Sequence, residues 1–501
     1  MLAELLAGVD AIAVRGATDL EIQRLVLDSR RVRPGDAFFA LPGVRTDGAR
    51  FAADASAAGA SAIFGAPGLH IAAGTLVEVA EPRLALAQAA VRLFGHPSRS
   101  MRVVAVTGTN GKTTTTWLLE SIAAEAGWSA GVVGTTGVRV AGESRPTSFT
   151  TPEAPELQQL FAEMRDAGVQ CVAFEASSHA LVQRRAWGTS CDACVFTNLT
   201  QDHLDYHGTM QAYLDAKLML FDGRNGGRDK PCAAVIDADD PHAEAVATAA
   251  GRGSMRVLHF GSPDAVAGRD GVSVVEVTAR TTGLDVRLRR HGLSGGGETT
   301  VALPLLGRFN AWNAAAAYTA ACALGVAPDT AARGLERTRG VPGRLERIEA
   351  GQSFGVAVDY AHTPDALERA LAACREHTSG RVLAVFGCGG DRDRGKRPLM
   401  GAAAARGADR AWVTNDNPRS EDPAAIAAEV LAGAPAGSLT VELDRRAAIA
   451  AAVAEARPGD LVLIAGKGHE TTQTIGAQVL PFDDRVVARE ALVRLGHTGA
   501  A

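Results

Sequence analysis

Long apolar runs are missing: no stretch of about eighteen consecutive apolar residues occurs in the 501-residue chain, so no membrane span is expected. A basic excess is missing too. Lys and Arg number 51 against 56 Asp and Glu, a formal net charge of −5. That balance argues against a dedicated binder of nucleic acid or of anionic membranes. A disulfide framework is also absent. The seven cysteines, Cys171, Cys191, Cys194, Cys232, Cys322, Cys374 and Cys388, are odd in number and widely spread. Cys191-x-x-Cys194 has no second pair to complete a zinc site. They read as core cysteines of a reducing compartment, and a cytoplasmic location is the simplest expectation. No internal repeat and no long low-complexity tract interrupts the chain. The opening segment MLAELLAGVDAIAV carries Glu4 and Asp10 and no basic leader, which predicts a first core helix rather than a signal peptide.

What is there is a globular profile, with 47% hydrophobic and 21% charged residues and 55 glycines. At ~150 residues per domain the length predicts two to four domains. Apolar strand-like runs alternate with helical stretches, the pattern of α/β folds with parallel sheets. Breaks at FGHPSRS (94–100) and TRGVPGR (338–344) divide the chain into three expected domains, 1–98, 99–338 and 339–501. In the second and third, an apolar run repeatedly ends in a polar or Gly-rich loop: VVAVTGTNGKTT, VAFEASSH, VFTNLTQDHLDYH, VAVDYAHTP, VLAVFGCGGDRD, AWVTNDNPR and LVLIAGKGHE. Open parallel sheets bind ligands outside the carboxyl ends of their strands, so the chemistry is expected in these loops.

The first loop, Gly108-Thr109-Asn110-Gly111-Lys112-Thr113-Thr114, follows a strand and opens the helical run TTTTWLLESIAAEAG. Glycines allow close backbone approach, and amides at a helix start bind anions. Lys112 suits the β- and γ-phosphates of ATP, and the Thr113 hydroxyl suits Mg²⁺. The standard spacing would put a glycine at Val106, so the loop is a shortened form, with Gly108 as the local glycine. Glu175, at the end of CVAFE, joins Thr113 as a hard oxygen donor for Mg²⁺. His203 and His207 stand four apart and could instead serve zinc, but no HExxH pattern or evident third ligand accompanies them. Asp202 and Asp205 could simply cap a helix. Lys217, in the helical stretch QAYLDAKLMLF, reads by itself as a solvated surface lysine.

TNDNPRSEDP (414–423) places an acid, an amide, a proline and an arginine in a row: Asp416, Asn417, Pro418 and Arg419. Asn-Pro commonly starts a turn. Arg419 can take a carboxylate through two parallel hydrogen bonds, as lysine cannot. Asp416 or Glu470 can accept an ammonium. Arg392 offers a second carboxylate partner and Gly466 a backbone contact. Together these groups suit an amino-acid head carrying both charges.

GTNGKTT, EASSHALVQRR, FTNLTQDHLDYHG, GRFNAWN, VPGRLE, VDYAHTPDAL, GCGGDRDRGKRP, DNPR and AGKGHE occur in one order. Together they resemble the Mur ligases of peptidoglycan synthesis, and within them the branch that adds meso-diaminopimelate. The likeness runs from LDSR (27–30) to GKGHE, and the shortened phosphate loop is normal in that family. It implies an N-terminal α/β domain for the UDP-sugar, a central P-loop ATPase-like parallel-sheet domain and a C-terminal Rossmann-like domain for the incoming amino acid. The implied activity is an ATP- and Mg²⁺-dependent carboxylate–amine ligation on UDP-N-acetylmuramoyl-L-alanyl-D-glutamate by a cytoplasmic monomer.

Residue by residue, the resemblance implies UDP-sugar contacts at Leu27, Ser29, Val44, Arg45 and Thr46. It implies contacts to the nucleotide-linked dipeptide at Thr150, Thr151, Ser177, Gln183 and Arg185. It makes Lys217 a carbamylated lysine and Thr113, Glu175, His203 and that carbamate the metal-associated groups, with Lys112, Lys217, His203 and Glu175 as the catalytic set. Asn310, Asn313 and Arg344 match the adenine and phosphate side, and Asp359 and His362 positions that close over the nucleotide. Asp416, Asn417, Pro418, Arg419, Arg392, Gly466 and Glu470 match the diaminopimelate site. The alternatives are a lysine-adding Mur ligase, which lacks the arginine of DNPR, and a folylpolyglutamate synthase-like ligase, which is not expected to carry the first ~95 residues. An ATP-binding switch or scaffold would need none of the converging acid and arginine loops. The loops at 222–229 and 291–298 receive no role.

Overall fold

The computed structural model describes residues 1–43, 47–147, 149–280, 282–293 and 296–498. The chain divides into two compact units, one formed by 1–272, 290–296 and 316–331, the other by 273–289, 297–315 and 332–501. Among the described residues, no helix is long and apolar enough to cross a membrane.

The first unit holds two sheets. The N-terminal one runs Ala11–Arg15, Thr75–Val79, Ala62–Gly65, Asp36–Phe39, Arg24–Val26. Only Ala11–Arg15 is antiparallel to its neighbour. The inner strands are wholly buried, with Phe39 and Phe64 stacked at 4.3 Å. The expected first helix covers only Leu2–Leu6, anchored by buried Leu2 and Leu5. The rest of that apolar run, Ala11–Arg15, becomes a largely exposed edge strand.

The second sheet carries six parallel strands in the order Arg256–Gly261, Ala233–Asp237, Ala193–Phe196, Arg102–Thr107, Cys171–Glu175, Ala130–Gly134. An antiparallel ribbon of Gly137–Val140 and Glu143–Arg145 follows. RVVAVT is a β-branched run buried on both faces, as a central parallel strand must be. From Arg102–Thr107 the chain first builds to one side and then, after Cys171–Glu175, to the other. The carboxyl end of Arg102–Thr107 is therefore the topological switch point, where a crevice opens.

In the second unit the sheet runs Glu346–Arg347, Gly355–Asp359, Leu461–Ala465, Val382–Phe386, Arg410–Val413, Leu439–Val441. All but the first are parallel. The last strand in sequence, Leu461–Ala465, inserts between the second and third. That brings the loops starting at Gly387, Thr414 and Gly466 to one edge. A separate hairpin, Thr472–Ile475 with Gln478–Pro481, follows. All seven cysteines are free and six are buried, the core role expected of them. Cys194 Sγ lies 3.9 Å from Cys232 Sγ.

Helices Lys396–Gly407 and Pro423–Leu431 touch at Gly401, where a Cβ would stand 2.0 Å from the Val430 carbonyl oxygen. Gly to Ala inside a helix ordinarily stabilises by about 0.5–1 kcal/mol. Here the helices must part, and Gly401→Ala is expected to lose about 1–3 kcal/mol, read as a lower thermal midpoint. A raised midpoint would contradict this close approach.

Candidate active site

The phosphate loop needs glycine at two positions, Gly108 with φ 150° and Gly111, the residue capping helix Lys112–Glu125, with φ 85°. A Cβ on Gly108 would lie 1.9 Å from Thr197 Oγ1, so only glycine lets the loop pass the neighbouring strand end. Thr109 N donates to Asn198 O and Asn110 N to Asn198 Oδ1, both at 2.9 Å, while Thr197 Oγ1 donates to Asn110 O at 2.6 Å. Lys112 curls over the loop, its Nζ donating to the carbonyls of Gly108 and Thr109, each at 2.8 Å. Thr114 is buried beside Thr113 in the first helical turn. A cation above the loop and amides at a helix start form a phosphate cradle.

Glu175 is 1% exposed. Its carboxylate accepts from Thr113 Oγ1 at 3.0 Å, Thr135 N at 2.8 Å and Thr135 Oγ1 at 3.2 Å. A buried carboxylate without such donors would carry a large desolvation cost. Thr150 Oγ1 lies 3.0 Å from Thr135 Oγ1. Thr151 Oγ1 donates to the Glu175 backbone oxygen at 2.7 Å and lies 3.2 Å from Ser177 Oγ. Arg185 Nη1 donates to Thr151 O at 2.9 Å, its Nε and Nη2 hold Gln183 Oε1 at 3.0 and 2.7 Å, and Nη2 pairs with Glu153 at 3.1 Å. Thr150, Thr151, Ser177, Gln183 and Arg185 thus share one network with Glu175. Leu27 and Ser29 flank Asp28, whose carboxylate caps the turn Ser29–Arg31, and Leu27 packs on the core of the first sheet. Val44, Arg45 and Thr46 lie outside the described residues.

The surface lysine expected at 217 is overturned. Helix Met210–Leu218 turns Lys217 inward to 1% exposure, with Nζ 4.4 Å from the Tyr213 ring centroid. Burial pushes its pKa far down, the Lys112 charge adds to this, and Asp202 opposes it. His203 sits at φ 52°, rare for a non-glycine residue, and packs edge-on against His179 at 4.8 Å and Tyr213 at 6.0 Å. Asp202 accepts from His203 N at 2.8 Å, while His203 itself occupies the cap of helix Leu204–His207. Burial lowers the His203 pKa and, with the charges of His203 and His207, takes His179 to about 4. Neutral imidazoles are the form that ligates metal.

Among the described residues no three His, Cys, Asp or Glu side chains converge as a metal cage. A nucleotide-bound Mg²⁺ does not require one, because it uses one or two carboxylates, waters and the phosphates themselves. The oxygen pair of Thr113 and Glu175, 3.0 Å apart at the phosphate loop, fits that donor set.

In the second unit, Asn310 Nδ2 donates to Leu306 O at 2.7 Å and Asn313 Nδ2 to Asn310 Oδ1 at 2.8 Å, fixing both amides on helix Phe309–Ala323. Asp359 accepts from the amides of Leu345 and Ala361 at 2.7 and 2.8 Å, and burial raises its pKa. Arg344 reaches over the Tyr360 ring at 5.1 Å, and its Nε is buried without a hydrogen-bond partner among the described residues. His362 Nδ1 lies 2.9 Å from Tyr360 O, and burial lowers its pKa.

The DNPR turn is more than a polar turn. Asp416 and Asn417 are 8% and 6% exposed. Asn417 Nδ2 donates to Asp416 Oδ1 at 3.1 Å and to Glu470 Oε2 at 2.9 Å. Lys467, fully buried, donates to Asn417 Oδ1 at 3.3 Å and Glu470 Oε2 at 3.1 Å. Arg419 is held at φ 52° with Nη1 donating to Gly390 O at 2.8 Å, and Pro418 is buried between them. The position of a Gly389 Cβ would be 3.0 Å from Arg419 Nη1 and 3.7 Å from Arg392 Cγ, so both arginine side chains border one glycine. A Gly466 Cβ would lie 2.7 Å from Asp416 Oδ2.

The hairpin supplies an unforeseen strap. Arg419 N donates to Thr474 O at 3.1 Å and Gly476 N to Arg419 O at 2.7 Å. Gln473 Nε2 donates to Asp416 O and Thr474 N to Asn417 Oδ1, both at 2.9 Å. Buried Arg397 grips Glu421 and Glu429 beyond the turn. Lys467 could have been found, since it sits inside the AGKGHE run. Gln473 and Thr474 carry no motif that marks them.

Three family models match along the chain: "Mur ligase family, catalytic domain" over 21–102, "Mur ligase middle domain" over 106–321 and "Mur ligase, glutamate ligase domain" over 343–468. A curated protein of Parasynechococcus marenigrum, named UDP-N-acetylmuramoyl-L-alanyl-D-glutamate–2,6-diaminopimelate ligase, is 46% identical over 489 residues, covering 95% of this chain and 96% of its own. The chain belongs to the Mur ligase family. A second relative with the same name, from Solibacter usitatus, is 43% identical and covers 95% of this Mur ligase and 94% of its own length. A solved structure of a ligase of that name superposes with a TM-score of 0.72 at 34% identity, over 97% of each chain. The α/β architecture expected from the sequence is thus that of a three-domain Mur ligase.

Burial drives the Lys217 amine toward its neutral form, which is the form that adds carbon dioxide. In ¹³C-labelled bicarbonate at neutral pH, the protein is expected to show a carbamate carbon resonance that Lys217→Ala lacks. Identical spectra for the two proteins would remove the carbamate from this site.

Proposed function

We propose that this protein is an ATP-dependent ligase that joins meso-diaminopimelate to UDP-N-acetylmuramoyl-L-alanyl-D-glutamate and forms the UDP-MurNAc-tripeptide of peptidoglycan synthesis. The observation that carries the choice of amine is the presence of a buried acid, Asp416, and an arginine, Arg419, on one strapped turn. A donor with a distal ammonium and a distal carboxylate needs both charges at fixed separation. Lysine has no distal carboxylate to engage Arg419. Full-length relatives named as diaminopimelate ligases support the same choice over lysine addition and over a folylpolyglutamate synthase-like reaction. We also propose the functional borders 1–98, 99–338 and 339–501, and a cytoplasmic location, where ATP and nucleotide-linked precursors are available.

The loop amides and Lys112 hold the phosphates of ATP in line with the substrate carboxylate. Thr113, Glu175, His203 and carbamylated Lys217 would hold Mg²⁺, which neutralises phosphate charge when bound. Thr150, Thr151, Ser177, Gln183 and Arg185 orient the nucleotide-linked dipeptide. Asn310, Asn313, Arg344, Asp359 and His362 serve the nucleotide, the uncommitted Arg344 Nε being suited to a phosphate oxygen. Phosphoryl transfer converts the carboxylate to an acyl phosphate. The donor amine, set by Asp416, Glu470, Arg392 and Arg419, attacks that carbonyl, loses a proton and expels inorganic phosphate. Catalysis is positioning plus charge stabilisation.

Arg419→Ala removes one charged partner of the donor carboxylate. KM for meso-diaminopimelate is expected to rise about tenfold to a hundredfold, with KM for ATP nearly unchanged. Equal rises in both would contradict the role given to Arg419.

A further inference from the structure

One charged pair beneath the donor cluster takes no part in the roles given above. Arg445 begins helix Arg445–Glu455 and Asp484 begins helix Asp484–Arg494; they are 1% and 0% exposed. The pair is bidentate, with Arg445 Nε and Nη2 donating to Asp484 Oδ1 and Oδ2 at 2.8 and 2.7 Å. The guanidinium also reaches two backbone carbonyls, Ala465 O at 2.9 Å and Asn415 O at 3.3 Å. These carbonyls immediately precede Gly466 and Asp416. One rigid fork therefore ties together the ends of strands Leu461–Ala465 and Arg410–Val413, where the two loops of the donor site begin.

A role confined to holding the fold explains this less well. Two buried ions cost desolvation that their attraction only partly returns, and apolar pairs of similar volume often serve stability as well. A planar fork does what an apolar pair cannot, because it fixes the separation of two carbonyls as well as packing against them. Asp416 is itself buried, which raises its pKa. Arg445 is the foremost charge drawing it back, ahead of Lys467, with Glu470 and Asp484 opposed.

We infer that Arg445, held by Asp484, is a positioning residue for the amine donor: it sets the spacing of Asp416 and Gly466 and so the geometry offered to the donor's distal ammonium. This rests on the reading of Asp416 as the ammonium acceptor.

The test compares the full-length protein with Arg445→Met/Asp484→Leu, Arg445→Lys and Asp416→Asn. Thermal midpoint, kcat and the three KM values are measured for each. The double variant removes both ions and leaves neither unpaired, although the carbonyls of Ala465 and Asn415 lose a donor, so its midpoint should fall only modestly. Its KM for meso-diaminopimelate should rise about tenfold or more, while KM for ATP and for the nucleotide-linked dipeptide hold. Arg445→Lys, which keeps the charge but loses the fork, should show a smaller rise. A folded double variant with unchanged KM for the amine overturns the inference. If the double variant does not fold, an unchanged KM in Arg445→Lys overturns it instead. If Asp416→Asn leaves KM for the amine unaltered, the acceptor assignment is wrong and the inference falls with it. A rise in Asp416→Asn without one in the Arg445 variants sinks the positioning role alone.

Discussion

A parallel sheet forces its chain to leave every strand at the same edge, and both candidate sites follow from that constraint. In the first unit, the strand Arg102–Thr107 lies between Cys171–Glu175 and Ala193–Phe196, which the chain reaches in opposite directions. The phosphate loop, Glu175 and the 197–200 segment therefore meet at one crevice. In the second unit, the late insertion of Leu461–Ala465 gathers the loops carrying Gly389, Asp416 and Gly466. The same constraint makes these strands apolar on both faces, which is why their ends are so visible in the sequence.

Collecting polar loops at an edge creates a second problem, because charge must survive where water is scarce. Glu175 is met by hydroxyl and amide donors. Asn417, Lys467 and Glu470 form a closed polar circuit beside Asp416. Arg445 and Asp484 satisfy one another and two strand-end carbonyls. Breaking any one of these would leave an uncompensated buried group, a larger penalty than the net worth of the contact itself. Lys217 solves the problem differently, since burial drives its amine toward the neutral form.

Much of this was legible in the sequence. The strand-then-loop habit pointed to both groups of loops, the shortened phosphate loop stood out by its glycines and lysine, and DNPR announced itself by its charge pattern. The α/β class followed from alternation alone. What stayed hidden depends on long-range packing. Nothing local tells which way a helical lysine faces, so Lys217 read as solvated. MLAELLAGVDAIAV read as one helix, yet its second half is Ala11–Arg15, an edge strand whose place is set by pairing with residues 75–79. Arg445 and Asp484 are 39 positions apart and occupy no motif, and the strap at Gln473 and Thr474 contacts DNPR from 57 positions away.

The central claim is that one protein couples ATP cleavage to a doubly headed amine on a nucleotide-linked dipeptide. It is tested most directly by phosphate release from ATP with UDP-N-acetylmuramoyl-L-alanyl-D-glutamate and, in parallel, meso-diaminopimelate, L-lysine or glutamate. Release is expected to require both the dipeptide and the amine, with meso-diaminopimelate preferred in kcat/KM by at least about a hundredfold. Equal use of lysine, or release that ignores the dipeptide, would contradict the account.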